Sequence, residues 1–348
     1  MLKRLLLLVV LLSVGVGVLS FVNASSGEYS AYSHSKNLQQ EDFSNWTVQK
    51  ALIELGDQKP VHYLEKIDPD SAKIGERLIK YGELEDGSID RISKYFVCTD
   101  CHNIVLETDD PADESPDRVL KYSMKNKVPF LPGSTFYSMY NKEHWYNGDY
   151  DKKYGDLVKN TRDTLYNAIQ LCATQCSQGR ELEFWEIRCI IHYYKTLELK
   201  ISDLVFTSQE LNQLSALNEK NKKDGVKLLK SKYNTYNDAH FGTSKIPVIP
   251  DYQPNFESGK YIYEGGCLHC HAYGKGITNF DLGMDKLSFK FLAAKKEKYN
   301  SFSISHITRY GTYSISGRKQ YMPQYTFENM SDKQMLDLIY FIETKAKE

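Results

Sequence analysis

The chain carries almost no net charge: 44 Lys and Arg stand against 45 Asp and Glu in 348 residues, a formal charge of −1. Such a balance gives no global field for a polyanion, so nucleic-acid binding is not expected. Long apolar runs are nearly missing as well. One stretch, Leu5 to Val22, reaches 18 residues, just enough to span a bilayer; no other segment is apolar enough to do so. Aliphatic residues are sparse for the length, whereas tyrosine is frequent at 26. Domains composed this way need another source of apolar core. Cysteine is scarce, at seven residues, and a disulfide framework belongs to much shorter secreted chains.

Four of those cysteines fall into two pentads, Cys98-Thr99-Asp100-Cys101-His102 and Cys267-Leu268-His269-Cys270-His271. Cys-x-x-Cys-His is the attachment sequence of a c-type haem. Cysteines three apart share one side of a helical turn and add to the two porphyrin vinyl groups, and the adjacent His reaches the iron from beneath the ring. The sequence therefore predicts two covalently bound haems c, with Cys98, Cys101, Cys267 and Cys270 as attachment residues and His102 and His271 as iron ligands. A zinc ribbon would place its Cys pairs about 15–20 residues apart, whereas 165 residues separate Cys101 from Cys267. A thioredoxin-like pair would want a βαβ pattern, which neither neighbourhood has. Porphyrin also supplies the apolar filler that the composition lacks.

The N-terminus agrees with this reading. Met1-Leu2-Lys3-Arg4 is a basic start, the apolar run comes next, and Val22-Asn23-Ala24 offers a small-residue cleavage site. That is the pattern of a secretory signal, and bacterial haem attachment takes place outside the cytoplasmic membrane. A periplasmic protein is expected, with the Leu5–Val22 segment either removed or retained as an N-terminal anchor. No Cys near the site suggests a lipid anchor.

About 320 residues remain after residues 1–24, enough for two or three domains. Residues 25–65 read as an irregular leader with short helices, including helical spacing from Trp46 to Leu55. Residues 66–205 form the first haem domain. It opens with a helix over Ala72–Tyr81 that has Ile74, Leu78 and Ile79 on one face. The pentad then leads into a Pro-rich loop (Asp109–Pro132) and an aromatic loop (Phe136–Tyr154). Helices over about 161–176 and 181–200 come after it, broken near Gly179. Residues 206–254 are a linker whose basic run, Lys220 to Lys232, reads as a solvated helix face or else a docking surface. Pro247, Pro250 and Pro254 mark the boundary.

In the last segment, 255–348, a short helix precedes Cys267, and Met322-Pro323 lies 51 residues beyond His271. Ser331 and Gln334 form a capping box opening a terminal helix with Met335, Leu338, Ile339 and Ile342 inward. This order resembles the class I cytochrome c family across the whole segment. The resemblance implies His271 below the iron and Met322 above it; Met284, Met330 and Met335 are the rival sulfurs.

No Met-Pro lies beyond the first pentad in its own domain. Met124, Met139, His144, Cys172, Cys176 and His192 are the candidate distal ligands. Leu165, Ala168, Ile169, Cys172 and Cys176 share one helical face, so both thiols should point inward, as ligands or as small core residues. The stretch Leu171-Cys172-Ala173-Thr174-Gln175-Cys176-Ser177-Gln178-Gly179-Arg180-Glu181-Leu182, with Trp185-Glu186 and Tyr193-Tyr194 beyond it, is similar to the first domain of dihaem thiosulfate dehydrogenases and to SoxA-type cytochromes. That resemblance implies Cys172 as distal ligand of a catalytic haem, because Gly179 stands seven residues on. The family pattern carries Arg three residues after the Cys, where this chain has Gln175. Cys176 is extra, and by counting alone Cys189 is its available partner in an oxidising compartment.

The expected architecture is mainly α, two cytochrome c-like haem domains in tandem joined by a helical, Pro-containing linker. The expected function is dihaem electron transfer from a low-potential first haem to a His/Met second haem, with a soluble cytochrome or terminal oxidase as acceptor. A thiosulfate dehydrogenase-like oxidoreductase, taking a small sulfur anion at the Cys172 haem, is the alternative. A haem-based sensor is a weaker third, for want of a signalling domain.

Overall fold

The computed structural model describes residues 43–218, 220–233, 238–295, 303–312 and 322–348. The Leu5–Val22 run and its cleavage site lie outside the described residues. Among those described, no helix is long and apolar enough to cross a membrane.

The described residues are helical, with only isolated bridges in place of strands. In chain order the helices are α1 (Val48–Glu54), α2 (Pro69–Tyr81), α3 (Pro116–Asn126), α4 (Tyr150–Tyr154), α5 (Leu165–Leu171), α6 (Phe184–Thr196), α7 (Ser208–Ser215), α8 (Lys222–Lys230), α9 (Phe256–Ile262), α10 (Leu268–His271), α11 (Lys286–Ala294), α12 (Ile304–Tyr310) and α13 (Asp332–Lys347). Local chemistry sets their ends. Asp68 caps α2 by accepting the Ser71 N–H, Pro69 sits at its first position, and Gly82 closes it at φ 69°, a left-handed stop that glycine adopts without a Cβ penalty. Ser331 and Gln334 form the expected capping box at α13.

Two helix pairs organise the molecule: α2 crosses α6, and α9 crosses α13. Both crossings use the same device. A Cβ on Gly75 would lie 2.0 Å from the Cys189 carbonyl oxygen of α6, and one on Gly259 would lie 2.0 Å from the Asp337 carbonyl oxygen of α13. Only a residue without a side chain lets the two backbones touch. Around the first crossing Leu78, Ile79, Ile187, Ile190 and Ile191 are buried; around the second, Ile262, Tyr263, Met335, Leu338 and Phe341. The inner face read for the terminal helix is thus the packed one.

Three expectations change. The Asp109–Pro132 loop contains α3, because Pro116 stands at the first helical position, where a proline begins a helix instead of breaking it. Its Leu120, together with Phe130, is buried in the core of the C-terminal segment. The leader and the linker are not separate spacers. Val48, Ala51 and Leu52 of α1 pack with Leu199, Ile201, Leu204, Leu214 and Leu229 into a third core. Finally, the basic run is only partly a solvated face. Lys223 and Lys227 are exposed, but Lys230 pairs with Asp57 and Glu143 at 2.8 and 2.6 Å, and Lys232 with Glu210 at 2.6 Å.

The α9–α13 crossing gives a test whose sign is informative. Alanine is intrinsically better than glycine inside a helix by about 1 kcal/mol. Overpacking a tight contact costs about 1–3 kcal/mol or more. Gly259→Ala is expected to lower stability by a net amount of about 1–2 kcal/mol in denaturant unfolding; a stabilised variant would show that the helices do not meet at this glycine.

Candidate cofactor site

Both pentads end in an imidazole held in the same way. The His102 Nδ1–H donates to the Ser134 carbonyl at 2.6 Å, and the His271 Nδ1–H donates to the Phe280 carbonyl at 2.7 Å. A carbonyl partner on Nδ1 fixes the tautomer and leaves Nε2 as the nitrogen for a metal. The His102 ring is further set by Phe136, stacked at 4.5 Å, and by Gly133. A Cβ at 133 would fall 2.3 Å from its Cε1, so the imidazole lies against bare backbone. Burial pushes the Cys98, Cys267 and Cys270 thiols up to about 12. Their shared environment shields these sulfurs from solvent. The donor set therefore fits covalent haem at each pentad.

The pentads, far apart in sequence, lie against each other. The Cys270 Sγ is 3.8 Å from the Asp100 carbonyl oxygen. His269 bonds the Thr99 carbonyl and faces the Asp100 carboxylate. The chain that leaves the first pentad completes the seam. Phe130 N–H donates to the Gly265 carbonyl at 3.1 Å, Tyr325 Oη donates to the Phe130 carbonyl at 2.8 Å, and Tyr261 Oη bonds the Ser123 and Val128 carbonyls.

One cavity opens above the first pentad. Cys98, Cys101 and His102 form one side, and Cys172, Cys176 and Tyr146 another. The helix carrying the thiols widens here. After α5 comes a π turn, Cys172–Cys176, closed by a bond from Ser177 N–H to the Cys172 carbonyl at 2.9 Å, and such turns gather at functional positions. Cys176 Sγ lies 3.4 Å from the Tyr154 hydroxyl and 3.6 Å from the Tyr146 hydroxyl, with Cys172 four residues before it in the same turn. Cys172, these hydroxyls and the nearby Lys153 ammonium hold the Cys176 thiol below its ordinary range, while Cys172 is pushed well above it. Burial lowers Lys153 to about 8, and its ammonium donates to Gln324 Oε1 at 2.5 Å. Gln324 belongs to the segment just after Met322-Pro323, so the C-terminal part walls this cavity too.

The other candidates sort by contact. Met139 lines the cavity, but its sulfur accepts the Trp145 indole N–H at 3.1 Å. His192 Nδ1 accepts the Asp68 N–H at 3.0 Å, tying α6 to the start of α2. His144 also lines the cavity, with its Nδ1 on Asp163 at 2.8 Å. Met124 lies on the exposed part of α3. The Cys176–Cys189 pairing drawn from counting does not form. All seven cysteines are free, and Cys189 is buried where α6 meets Gly75 of α2. Gln175 is exposed and does not line the cavity, so the family arginine would not point inward from this position.

In the C-terminal segment, Met330 and Met335 are core residues at 1% and 0% exposure, and Met284 is exposed. Met322 is placed by its backbone: its N–H donates to Thr312 Oγ1 at 2.7 Å and its carbonyl accepts the Thr312 N–H at 3.2 Å. The preceding residues 313–321 lie outside the described ones. An arginine that belongs to no motif fixes the chain beyond Met322. Arg309 of α12, 1% exposed, donates to the Tyr325, Thr326 and Met330 carbonyls and pairs with Asp332 at 3.0 Å, with its guanidinium over the Phe327 ring. Arg309→Met would strand those acceptors, at a cost of about 3 kcal/mol or more. Faster hydrogen exchange across 325–330 is expected, and unchanged protection there would reject this role.

No curated protein matches the chain. Residues 256–346 match the family model described as Cytochrome c. The C-terminal segment is a cytochrome c domain, which carries covalently bound haem c and transfers electrons.

Proposed function

We propose that both pentads carry haem c and that the chain is an exported dihaem cytochrome passing electrons from the first site to the second. The contact between the pentads is the observation that carries this reading. Attachment through Cys101 and Cys270 would anchor one edge of each porphyrin at the seam where Cys270 approaches Asp100 at 3.8 Å. The matched glycine crossings, Gly75 of α2 against α6 and Gly259 of α9 against α13, support a second cytochrome-like domain over 66–205. The haems supply one-electron redox chemistry. The chain supplies oriented imidazoles, water exclusion and unequal distal ligands.

In this reading His102 and Cys172 hold the first iron, and His271 and Met322 the second. A thiolate lowers a haem potential, and His/Met ligation raises it, so electrons leave by the C-terminal domain. A soluble cytochrome or a terminal oxidase outside the cytoplasmic membrane is the acceptor. The double variant Cys98→Ser/Cys101→Ser is expected to halve the haem content in a pyridine haemochrome assay, and an unchanged content would overturn the dihaem reading. EPR of the oxidised protein should give one low-spin thiolate set and one His/Met set. Cys172→Ala should remove the first, with survival pointing to Cys176 instead. Met322→Ala should abolish the methionine–iron band and lower one potential only.

The second reading, an oxidoreductase acting on sulfur anions, is favoured by one group of residues. Lys153, Tyr146 and Tyr154 gather at Cys176 and provide, from α4 and the preceding loop, the positive and donor groups that Gln175 does not. A steady-state assay with thiosulfate and ferricyanide decides it. Turnover that falls at least tenfold in Lys153→Met supports the reading, and no turnover in intact dihaem protein removes it.

A further inference from the structure

A distal ligand needs one thiol, and the cavity at the first pentad is lined by two from a single turn. A cysteine used as a small core residue has apolar neighbours. Cys176 has instead two tyrosine hydroxyls. The π turn sets the two thiols four positions apart, so a widened turn carries the second nearly under the first. Both thiols thus belong to one five-residue element and line the same cavity. The third uncommitted cysteine, Cys189, is buried at the α2–α6 crossing and does not line the cavity.

We propose that Cys172 and Cys176 close reversibly into a disulfide, and that closure withdraws the distal thiol from the first haem site. The proposal rests on the reading of that site as His102/Cys172. The oxidant is a small-molecule disulfide, RSSR. The Cys176 sulfur attacks one of its sulfurs, forming Cys176–S–S–R and releasing one RS−; the Cys172 sulfur then attacks Cys176 Sγ and releases the second. The two cysteine protons leave with the two RSH products, so two thiols are oxidised and one disulfide is reduced. A thiol reductant reverses both steps. Tyr146 and Tyr154 steady the attacking sulfur, and both cysteines belong to one five-residue turn. The result is a ligand that a more oxidising thiol–disulfide poise removes and a more reducing one restores.

The test uses the full-length holoprotein equilibrated with oxidised and reduced glutathione at a series of ratios. Free thiols are trapped with an alkylating reagent, the peptides are mapped by mass spectrometry, and optical spectra are recorded on the same samples. Oxidising samples should contain a Cys172–Cys176 disulfide, with Cys189 alkylated. Across the same ratios the low-spin thiolate spectrum of one haem should give way to a high-spin one, while the His/Met haem stays unchanged. Cys176→Ser should keep the low-spin spectrum at every ratio. A linkage that never forms, or that engages Cys189, overturns the proposal. So does a linkage that forms without any spectral change. Failure of the underlying reading is seen separately, as a single haem per chain or as no thiolate spectrum under fully reducing conditions.

Discussion

The seam between the two pentads is the constraint on which the rest of the structure depends. To bring Cys270 against Asp100, the chain after His102 leaves its own core and enters the other one. Leu120 of α3 and Phe130 are buried with Ile262, Tyr263 and Phe289. The hydrogen bonds made there, from Phe130 to Gly265 and from Tyr325 to Phe130, are backbone-directed and short in reach, so they fix distance as well as adhesion. The same return path delivers Gly133 and Ser134 to His102. One loop therefore both orients the first imidazole and docks the second domain. A change that loosened either function would loosen both.

Gln324 extends the argument to the distal side. It lies two residues after Met322 and accepts from Lys153, next to Tyr154 and its contact with Cys176. The wall of the first cavity thus includes the segment expected to hold the second iron. The sites are structurally one assembly, although the sequence arranges them as beads on a string.

Much of this is legible in residue order. The pentads, the Ser331–Gln334 cap and the inner face of α13 come from short-range rules: a fixed spacing, a side chain reaching three residues, a 3.6-residue period. The Cys172 face is also readable, since Leu165, Ala168 and Ile169 are buried as the period requires. The parts that residue order hides depend on contacts between distant residues. Nothing local distinguishes Arg309 from any other helical arginine, yet it holds three carbonyls of the 325–330 segment. Nor does spacing announce that Tyr146, Lys153 and Tyr154 converge on Cys176. The Asp109–Pro132 stretch misleads for a different reason. Proline reads as a breaker, but Pro116 starts a helix.

The π turn shows how a local rule can succeed and still mislead. An ideal helix places Cys172 and Cys176 on one face but a full turn apart, as two separate inward residues, and it makes position 175 a plausible place for an inward charge. Widening the turn sets both thiols on the lining of one cavity and leaves Gln175 exposed. The charge near the sulfur then comes from another helix, through Lys153. One inserted residue per turn is enough to exchange a ligand-plus-arginine motif for a dithiol with tyrosine and lysine neighbours. The distal chemistry of the first site should accordingly be judged from its neighbours in space, because the spacing from Cys172 to Gly179 is compatible with either arrangement.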